Sequence, residues 1–221
     1  MAINVYFVRH GETYFNRFSR LQGWADSPLT EKGEQDAVAV GKALSSLKVD
    51  YLFSSDMMRA INTAKLLIAQ NPHTNIKEPE QNKLFREVFY GSFEGFANEE
   101  GAIFASMVVG KRIRRLSQII DEYGMPKLHD MLHKADPSHL ASSSEELNDR
   151  CQRAVDFLRG LPDKSTVVVV SHGSIIRYLA NVFGEPGHNY EGPGNGAIMK
   201  MTIDQNSAHV DFYNQTKLPS A

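Results

Sequence analysis

A run of four consecutive valines constrains the fold of this chain more than any other feature. Residues Thr166–Ser171 read Thr-Val-Val-Val-Val-Ser, and His172-Gly173 follows directly. A continuous β-branched run suits a strand that is buried on both faces, as in a parallel sheet covered by helices. The run therefore predicts a central strand with a histidine at its carboxyl end.

The rest of the chain alternates short apolar runs with amphipathic stretches, which is the pattern of an α/β fold. Further strands are predicted at Ile3–Val8, Tyr51–Ser54, Ala197–Ile203 and His209–Asn214. Helices are predicted from a Thr30 cap to about Leu47, from Met57 to Ala69 with Ser55 or Asp56 as cap, and from Ser174 to Phe183. The expected fold is a three-layer α/β sandwich, with a mostly parallel central sheet, helices on both faces and a helical insertion near the site.

The chain contains no repeat and no obvious linker, so we expect a single domain over residues 1–221. Residues 98–141 are the least regular part. We interpret them as a helical insertion or lid, because so short a segment cannot bury a good core alone. Its basic run Lys111–Arg115 is interpreted as a solvated helix face. An alternative is that one of these side chains selects an acidic substrate.

Composition narrows the classes of partner. The formal net charge of -2 gives no global attraction to nucleic acid or to an anionic membrane. Cys151 is the only cysteine, which excludes an intrachain disulfide and a cysteine-based zinc site. No apolar run approaches the roughly 18 residues of a membrane span, and the start lacks a signal-peptide pattern. We therefore expect a cytoplasmic protein with no nucleic-acid or membrane partner, and a homodimer is compatible with the sequence.

Two His-Gly pairs follow predicted strands. Arg9-His10-Gly11 comes after the first strand, and His172-Gly173 comes after the valine-rich strand. Ligands of open α/β sheets bind beyond the carboxyl ends of the strands, so both imidazoles are expected at the same edge. The Arg9 guanidinium offers a planar fork that suits phosphate oxygens.

Arg59 and Glu87 are the other candidates for chemistry. Arg59 falls in the first turn of a predicted helix, where the helix dipole disfavours a cation. An anionic ligand explains it, and an exposed salt bridge is the alternative. Glu87 is a candidate proton donor to a leaving oxygen, although it could also pair with Arg86 or cap a turn.

Together these segments resemble the histidine phosphatase superfamily, also called phosphoglycerate mutase-like, in its small-molecule phosphatase branch. The matching motifs are Arg9–Thr13; Leu21-Gln22-Gly23 with Asp26–Thr30; Ser54-Ser55 with Arg59 and Thr63-Ala64; Glu87 with Gly91 and Glu94-Gly95; and His172-Gly173. The resemblance covers most of the chain and is weakest over residues 98–141.

The resemblance implies a role for each matching residue. His10 would be the nucleophile that becomes phosphohistidine, and Glu87 the general acid that later activates water. Arg9, Arg59 and His172 would form the catalytic phosphate pocket. Further phosphate or substrate contacts are expected from Asn16, Gln22, Gly23 and Gly173. Two arginines can neutralise a phosphate dianion, so no metal and no cofactor are expected.

The function that follows is hydrolysis of a small phosphorylated metabolite through a phosphohistidine intermediate. A phosphoglycerate mutase would use the same residues, but the altered segment 98–141 favours a phosphatase. A non-catalytic phosphate-binding regulatory module is the alternative from another class, and the presence of all five expected catalytic side chains speaks against it. A sugar phosphate, a phosphoglycerate, a nucleotide and a cofactor precursor all remain open as substrates.

Overall fold

The computed structural model describes residues 2–219, so the outermost positions of the predicted domain, 1 and 220–221, lie outside the described residues. The strands are β1 (Ala2–Arg9), β2 (Tyr51–Ser54), β3 (Glu80–Gln81), β4 (Thr166–Ser171), β5 (Ile198–Asp204) and β6 (Ala208–Gln215). The helices are α1 (Tyr14–Arg17), α2 (Glu31–Ala43), α3 (Met58–Ile68), α4 (Asn98–Met107), α5 (Leu116–Tyr123), α6 (Met125–Ala135), α7 (Ser144–Arg159) and α8 (Gly173–Phe183). Short 3₁₀ helices span Lys83–Phe85 and Gly91–Phe93.

The six strands form one sheet in the order β3-β2-β4-β1-β5-β6. The valine-rich β4 lies in the interior of the sheet and is parallel to both of its neighbours, β1 and β2. Strand β5 is antiparallel to β1, and β6 is antiparallel to β5. In the pairing of β1 with β4, Arg9 stands opposite Ser171, so both strands end at the same level. The predicted mostly parallel sheet with the four valines inside is confirmed.

Helices cover both faces of this sheet. Alternate residues of a strand point to opposite faces. One face carries Val8 and Val168, which pack in a core with α2 and α3 residues such as Val40 and Leu67. On the opposite face, Phe7, Phe53, Phe85 and Phe157 of α7 form an aromatic cluster with ring centroids 5.3–6.3 Å apart. Burying each large apolar side chain contributes about 1.5–3 kcal/mol. The predicted three-layer α/β class is confirmed.

The chain divides into two compact units. The first contains the residues up to Thr13, Pro28–Glu87 and the residues from Arg150 onward, and it holds the sheet. The second contains Tyr14–Ser27 and Val88–Asp149, and it is helical. The segment 98–141 carries α4, α5 and α6, while its role as an insertion or lid in a single domain stays a prediction. Within residues 2–219, no helix is long and apolar enough to cross a membrane.

Helix α3 begins without the predicted side-chain cap. Its N-cap residue is Met57, which makes no side-chain cap bond. The Ser55 hydroxyl is engaged with His172, and the Asp56 carboxylate accepts two hydrogen bonds from the Arg86 guanidinium at 2.6 and 2.5 Å. The predicted cap was wrong because tertiary partners take both side chains. For α2, the Thr30 cap is confirmed.

The basic run Lys111–Arg115 lies between α4 and α5 and not on a helix face. Gly110, with φ of 72°, precedes it in a left-handed conformation that ends a right-handed helix. The Lys111 ammonium pairs with Glu122, and the Arg114 guanidinium pairs with Glu99 at 3.2 Å. The charged side chains of the run are exposed, so the prediction of solvation holds while that of a helix was wrong.

Candidate active site

The His10 ring is fixed in one tautomer. Its backbone N–H donates to the Ser171 carbonyl at 3.0 Å, which ties the end of β1 to the end of β4. The ring nitrogen Nδ1 lies 2.8 Å from the Gly11 carbonyl oxygen. Because a carbonyl oxygen only accepts, Nδ1 carries the hydrogen and Nε2 of the neutral ring keeps its lone pair.

His10 is neutral at ordinary pH. Its side chain is 3% exposed, and burial is the main cause that holds its pKa well below the usual histidine value. The positive charges of Arg59 and Arg9 lower this pKa further. A neutral imidazole that keeps a lone pair on Nε2 is the form that can attack an electrophile.

Two guanidiniums stand beside this imidazole. Arg59 is fully buried, and its Nε donates to His10 Nε2 at 3.3 Å. The alternative of an exposed salt bridge for Arg59 was therefore wrong. Arg9 donates through Nη1 to the Pro193 carbonyl at 2.6 Å. A Cβ atom on Gly173 would lie 3.3 Å from Arg9 Nε, so the glycine leaves room for the guanidinium.

His172 lies beside His10 at the same edge of the sheet. The two ring centroids are 5.1 Å apart, and His172 is fully buried. Burial and the charges of Arg59 and its neighbours hold the pKa of His172 well below the usual value. Its Nε2 lies 2.6 Å from the Ser55 hydroxyl, whereas its buried Nδ1 has no hydrogen-bond partner among residues 2–219.

Glu87 is held at the N-terminus of α8. Its Oε2 accepts a hydrogen bond from the backbone N–H of Ser174 at 3.0 Å, two residues after His172. The Arg150 guanidinium donates to the backbone carbonyl of Glu87 at 3.1 Å. Arg86, the partner considered from the sequence, forms a two-bond ion pair with Asp56. The carboxylate is thus buried and oriented within the first unit, together with both histidines.

The supporting roles of two residues, Thr63 and Asn195, were not predicted from the sequence. The Thr63 hydroxyl accepts from the Gly11 N–H at 3.1 Å and donates to the Arg59 carbonyl at 2.7 Å. The Asn195 amide donates to the His10 carbonyl at 3.0 Å. Thr63 was noted from the sequence only as part of a motif, and its position four residues after Arg59 is one from which a threonine hydroxyl can reach a helix carbonyl.

Gly11 lies where two backbone segments pack closely together. A Cβ atom at this position would lie 2.1 Å from the Gly33 carbonyl oxygen. The close approach that requires a glycine is therefore between two backbone segments. It fixes the turn that follows His10 against the start of α2.

Asn16, Gln22 and Gly23 belong to the second unit. Asn16 lies in α1, and the buried Gln22 side chain donates to the Ser27 hydroxyl at 3.0 Å. Gly23 donates its N–H to the Glu94 carboxylate at 3.0 Å, and a Cβ atom there would lie 2.1 Å from a backbone carbonyl oxygen. Gly23 thus has a packing reason to be glycine. The substrate-contact roles of all three residues stay predictions.

The first unit combines groups that suit one kind of ligand. A neutral imidazole, two guanidiniums, a second imidazole and a buried carboxylate lie at the carboxyl edge of a parallel sheet. Guanidinium forks match the oxygens of a phosphate group, and phosphoryl transfer depends mainly on positioning and charge neutralisation. The arrangement can bind a phosphate monoester and move its phosphoryl group.

The chain belongs to the histidine phosphatase superfamily (branch 1), whose sequence profile matches residues 5–216. The probable phosphoglycerate mutase GpmB of Salmonella choleraesuis (strain SC-B67) is 32% identical over 190 residues, which cover 83% of this chain and 76% of that protein. The 2,3-bisphosphoglycerate-dependent phosphoglycerate mutase of Methanococcus vannielii is 28% identical, in an alignment that covers 91% of this chain and 91% of that protein. The resemblance inferred from the motifs is thus confirmed.

A solved structure shows the same fold. Phosphoglycerate mutase from Bacillus anthracis str. Sterne aligns with a TM-score of 0.89 at 27% identity, covering 97% of this chain and 94% of that one. Bacillus stearothermophilus YhfR aligns with a TM-score of 0.73 at 25% identity, covering 99% and 98%. Members of the superfamily are phosphatases or mutases, which supports an enzyme of this broad class.

Proposed function

We propose that this protein hydrolyses a small phosphate monoester through a phosphohistidine formed on His10. The observation that carries the proposal is the buried, neutral His10 ring, whose Nε2 lone pair lies 3.3 Å from the Arg59 guanidinium. A nucleophile and a fixed positive charge are thus placed together, as phosphoryl transfer requires.

In the first step, the His10 Nε2 lone pair attacks phosphorus, and the bond between phosphorus and the leaving oxygen breaks. The electron pair of that bond goes to the leaving oxygen, which takes a proton from Glu87. The hydrogen stays on His10 Nδ1 and donates to the Gly11 carbonyl, which stabilises the positive charge that develops on the ring. General acid catalysis of this kind is typically worth about 10²–10⁴-fold in rate.

In the second step, water attacks the phosphorus of the phosphohistidine. The Glu87 carboxylate accepts a proton from that water, and the P–N bond breaks with its electron pair returning to His10 Nε2. The products are inorganic phosphate and the original enzyme. Arg9 and Arg59 neutralise the phosphoryl oxygens in both steps, and we propose that the reaction needs neither metal nor cofactor.

A phosphoglycerate mutase is the second candidate. It is favoured by the names of the relatives above, which are 28% to 32% identical to this chain. A mutase forms the same phosphohistidine but returns the phosphoryl group to a substrate hydroxyl instead of water. The site residues in the first unit serve both reactions, so the fate of the phosphoryl group decides between them.

The test is a panel of small phosphate monoesters, including both monophosphoglycerates, assayed for free phosphate and for isomerised product. We expect free phosphate from the wild type and none from His10→Ala. Cys151→Ala is the control, because burial raises the pKa of the Cys151 thiol to about 12 and leaves it un-ionised. Isomerisation of a phosphoglycerate without net release of phosphate would establish the mutase. Unchanged turnover in His10→Ala would refute both candidates.

A further inference from the structure

We infer that Ser55 is a positioning residue that places the ring hydrogen of His172 on Nδ1, so that this N–H donates to a phosphoryl oxygen. The inference rests on the proposed function and deepens it. It concerns how the second imidazole is made a hydrogen-bond donor while it stays neutral.

The hydrogen bonds of the Ser55 hydroxyl determine which tautomer His172 adopts. Among residues 2–219, this hydroxyl contacts two groups, the Met57 N–H at 3.4 Å and His172 Nε2 at 2.6 Å. The Met57 N–H is a donor, so the hydroxyl oxygen accepts from it. The only acceptor left for the hydroxyl hydrogen is His172 Nε2.

The opposite tautomer leaves a buried donor without an acceptor. If Nε2 carried the hydrogen, it would donate to Ser55, and the Ser55 hydroxyl hydrogen would have no acceptor in the described part of the chain. Ser55 is fully buried, so solvent does not replace the missing partner of its hydroxyl. The energy of one unsatisfied buried group corresponds to a preference of about 5- to 150-fold for the Nδ1–H tautomer.

The Nδ1–H that results is directed to no protein acceptor. Within residues 2–219, His172 Nδ1 is buried without a hydrogen-bond partner, and its ring centroid is 5.1 Å from that of His10. Buried polar groups are normally satisfied, so this donor calls for an acceptor that arrives with the ligand. Because Arg59 and Arg9 raise the local positive charge, the fitting acceptor is an anionic oxygen such as that of a phosphoryl group.

The neighbouring Ser54 provides a matched control. It is also fully buried, but its hydroxyl has no hydrogen-bond partner in the part of the chain that the structure describes. Ser54→Ala removes the same atoms from the same strand end as Ser55→Ala. The two variants therefore differ in the contact with His172 and not in the size of the change.

The first measurement is the ¹⁵N spectrum of histidine-labelled protein, which reports the nitrogen that carries the ring hydrogen. We expect His172 to be the Nδ1–H tautomer in the wild type and in Ser54→Ala, and a mixture of tautomers in Ser55→Ala. Ser55→Thr, which keeps the hydroxyl, should restore the wild-type spectrum. A wild-type His172 with its hydrogen on Nε2, or a Ser55→Ala spectrum identical to the wild type, overturns the inference.

The second measurement is the affinity for orthovanadate, which mimics the five-coordinate phosphorus of phosphoryl transfer. We expect about a tenfold loss in Ser55→Ala and no change in Ser54→Ala. Equal affinity of the wild type and Ser55→Ala overturns the inference, even if His10-dependent turnover upholds the proposed function. If the wild-type protein forms no phosphohistidine, the proposed function is refuted. In that case the ¹⁵N spectrum of His172 still shows whether Ser55 positions the ring.

Discussion

The surroundings of His10 determine what this site can do at the scale of single residues. Burial and two guanidiniums keep the ring neutral, and the Gly11 carbonyl holds the hydrogen on Nδ1. The same positive charges that lower the basicity of the ring attract the phosphate that it attacks. Charge complementarity and nucleophile activation therefore come from the same pair of arginines.

Arg59→Met tests this double role. Removing one of the two charges that lower the pKa of His10 should raise that pKa, and kcat/KM should fall by roughly 10²–10³-fold because a charge facing the transition state is lost. An NMR titration of the His10 ring and steady-state kinetics measure the two effects. Lys65→Met, an exposed position on the same helix that pairs with Glu78, should change neither. A His10 pKa that does not rise in Arg59→Met would contradict the account.

Sequence reasoning found the residues of the site that stand in short local motifs. His10 and His172 directly follow strands, Arg9 is the last residue of β1, and each of these strand ends can be recognised from a few neighbouring residues. Ser55, Thr63 and Asn195 were missed as supporting residues because their partners lie 117, 52 and 185 positions away in the chain. Hydrogen bonds between residues so far apart in the sequence depend on the order of the strands in the sheet. A local sequence pattern does not indicate that order.

One carboxylate organises the loops of the second unit at the scale of elements. Glu94 accepts hydrogen bonds from the backbone N–H groups of Gly23, Trp24, Ala25 and Tyr90 at 2.9–3.0 Å. Bonds to a charged acceptor are stronger than neutral ones. Glu94 was noted from the sequence only as part of a motif. Its structural role is to connect the loop after α1 with the residue that precedes the 3₁₀ helix Gly91–Phe93.

Glu94→Ala should therefore loosen this segment. We expect the free energy of unfolding to fall by about 2–3 kcal/mol, because four amides lose a charged acceptor. Hydrogen exchange should accelerate at Gly23, Trp24 and Ala25. Glu99→Ala is the control, since Glu99 forms an exposed pair with Arg114 and such pairs contribute at most about 1 kcal/mol. Exchange rates at these three amides that match the wild type would show that Glu94 does not hold the loop.

Helix α7 shows where element prediction failed. Its residues Leu147, Cys151, Val155 and Leu158 are buried at spacings of three and four, which is a helical pattern. This helix was not predicted from the sequence, because polar residues separate the buried ones. Strand β3 was missed as well, because its two exposed residues carry no alternation that could be read. The strongly apolar strands were predicted within one or two residues.

The order of the strands determines the site at the scale of the whole molecule. Because β1 and β4 are neighbours and end at the same level, two histidines 162 positions apart meet with ring centroids 5.1 Å apart. The class of the fold and its superfamily were predictable from the sequence, since the valine-rich strand and the motifs are strong signals. The division into two compact units was not, because it depends on contacts between distant segments.

Burying two neutral histidines gives the molecule an acid-sensitive stability. Below a pH of about 6.5, His10 and His172 become protonated in the unfolded chain. In the folded protein they stay neutral, because burial lowers both pKa values. Stability should therefore fall as the pH drops below this value, by about 1.4 kcal/mol per pH unit for each of the two protons. Urea unfolding between pH 5 and pH 8 measures how the free energy of unfolding changes with pH. His10→Gln should reduce the slope below pH 6.5 by about 1.4 kcal/mol per pH unit, the contribution of one proton. An identical slope in both proteins would contradict the burial of a neutral His10.

The central claim is that the phosphoryl group passes through His10, and rapid-quench mass spectrometry tests it most directly. Wild-type protein mixed with an aryl phosphate and quenched under alkaline conditions, where phosphohistidine survives, should yield a phosphate adduct on the peptide that contains His10. Glu87→Gln should accumulate more of the adduct from this good leaving group, because the base that activates water is lost. His10→Ala should yield no adduct and no turnover. Turnover that persists in His10→Ala, or an adduct on another residue, would contradict the account.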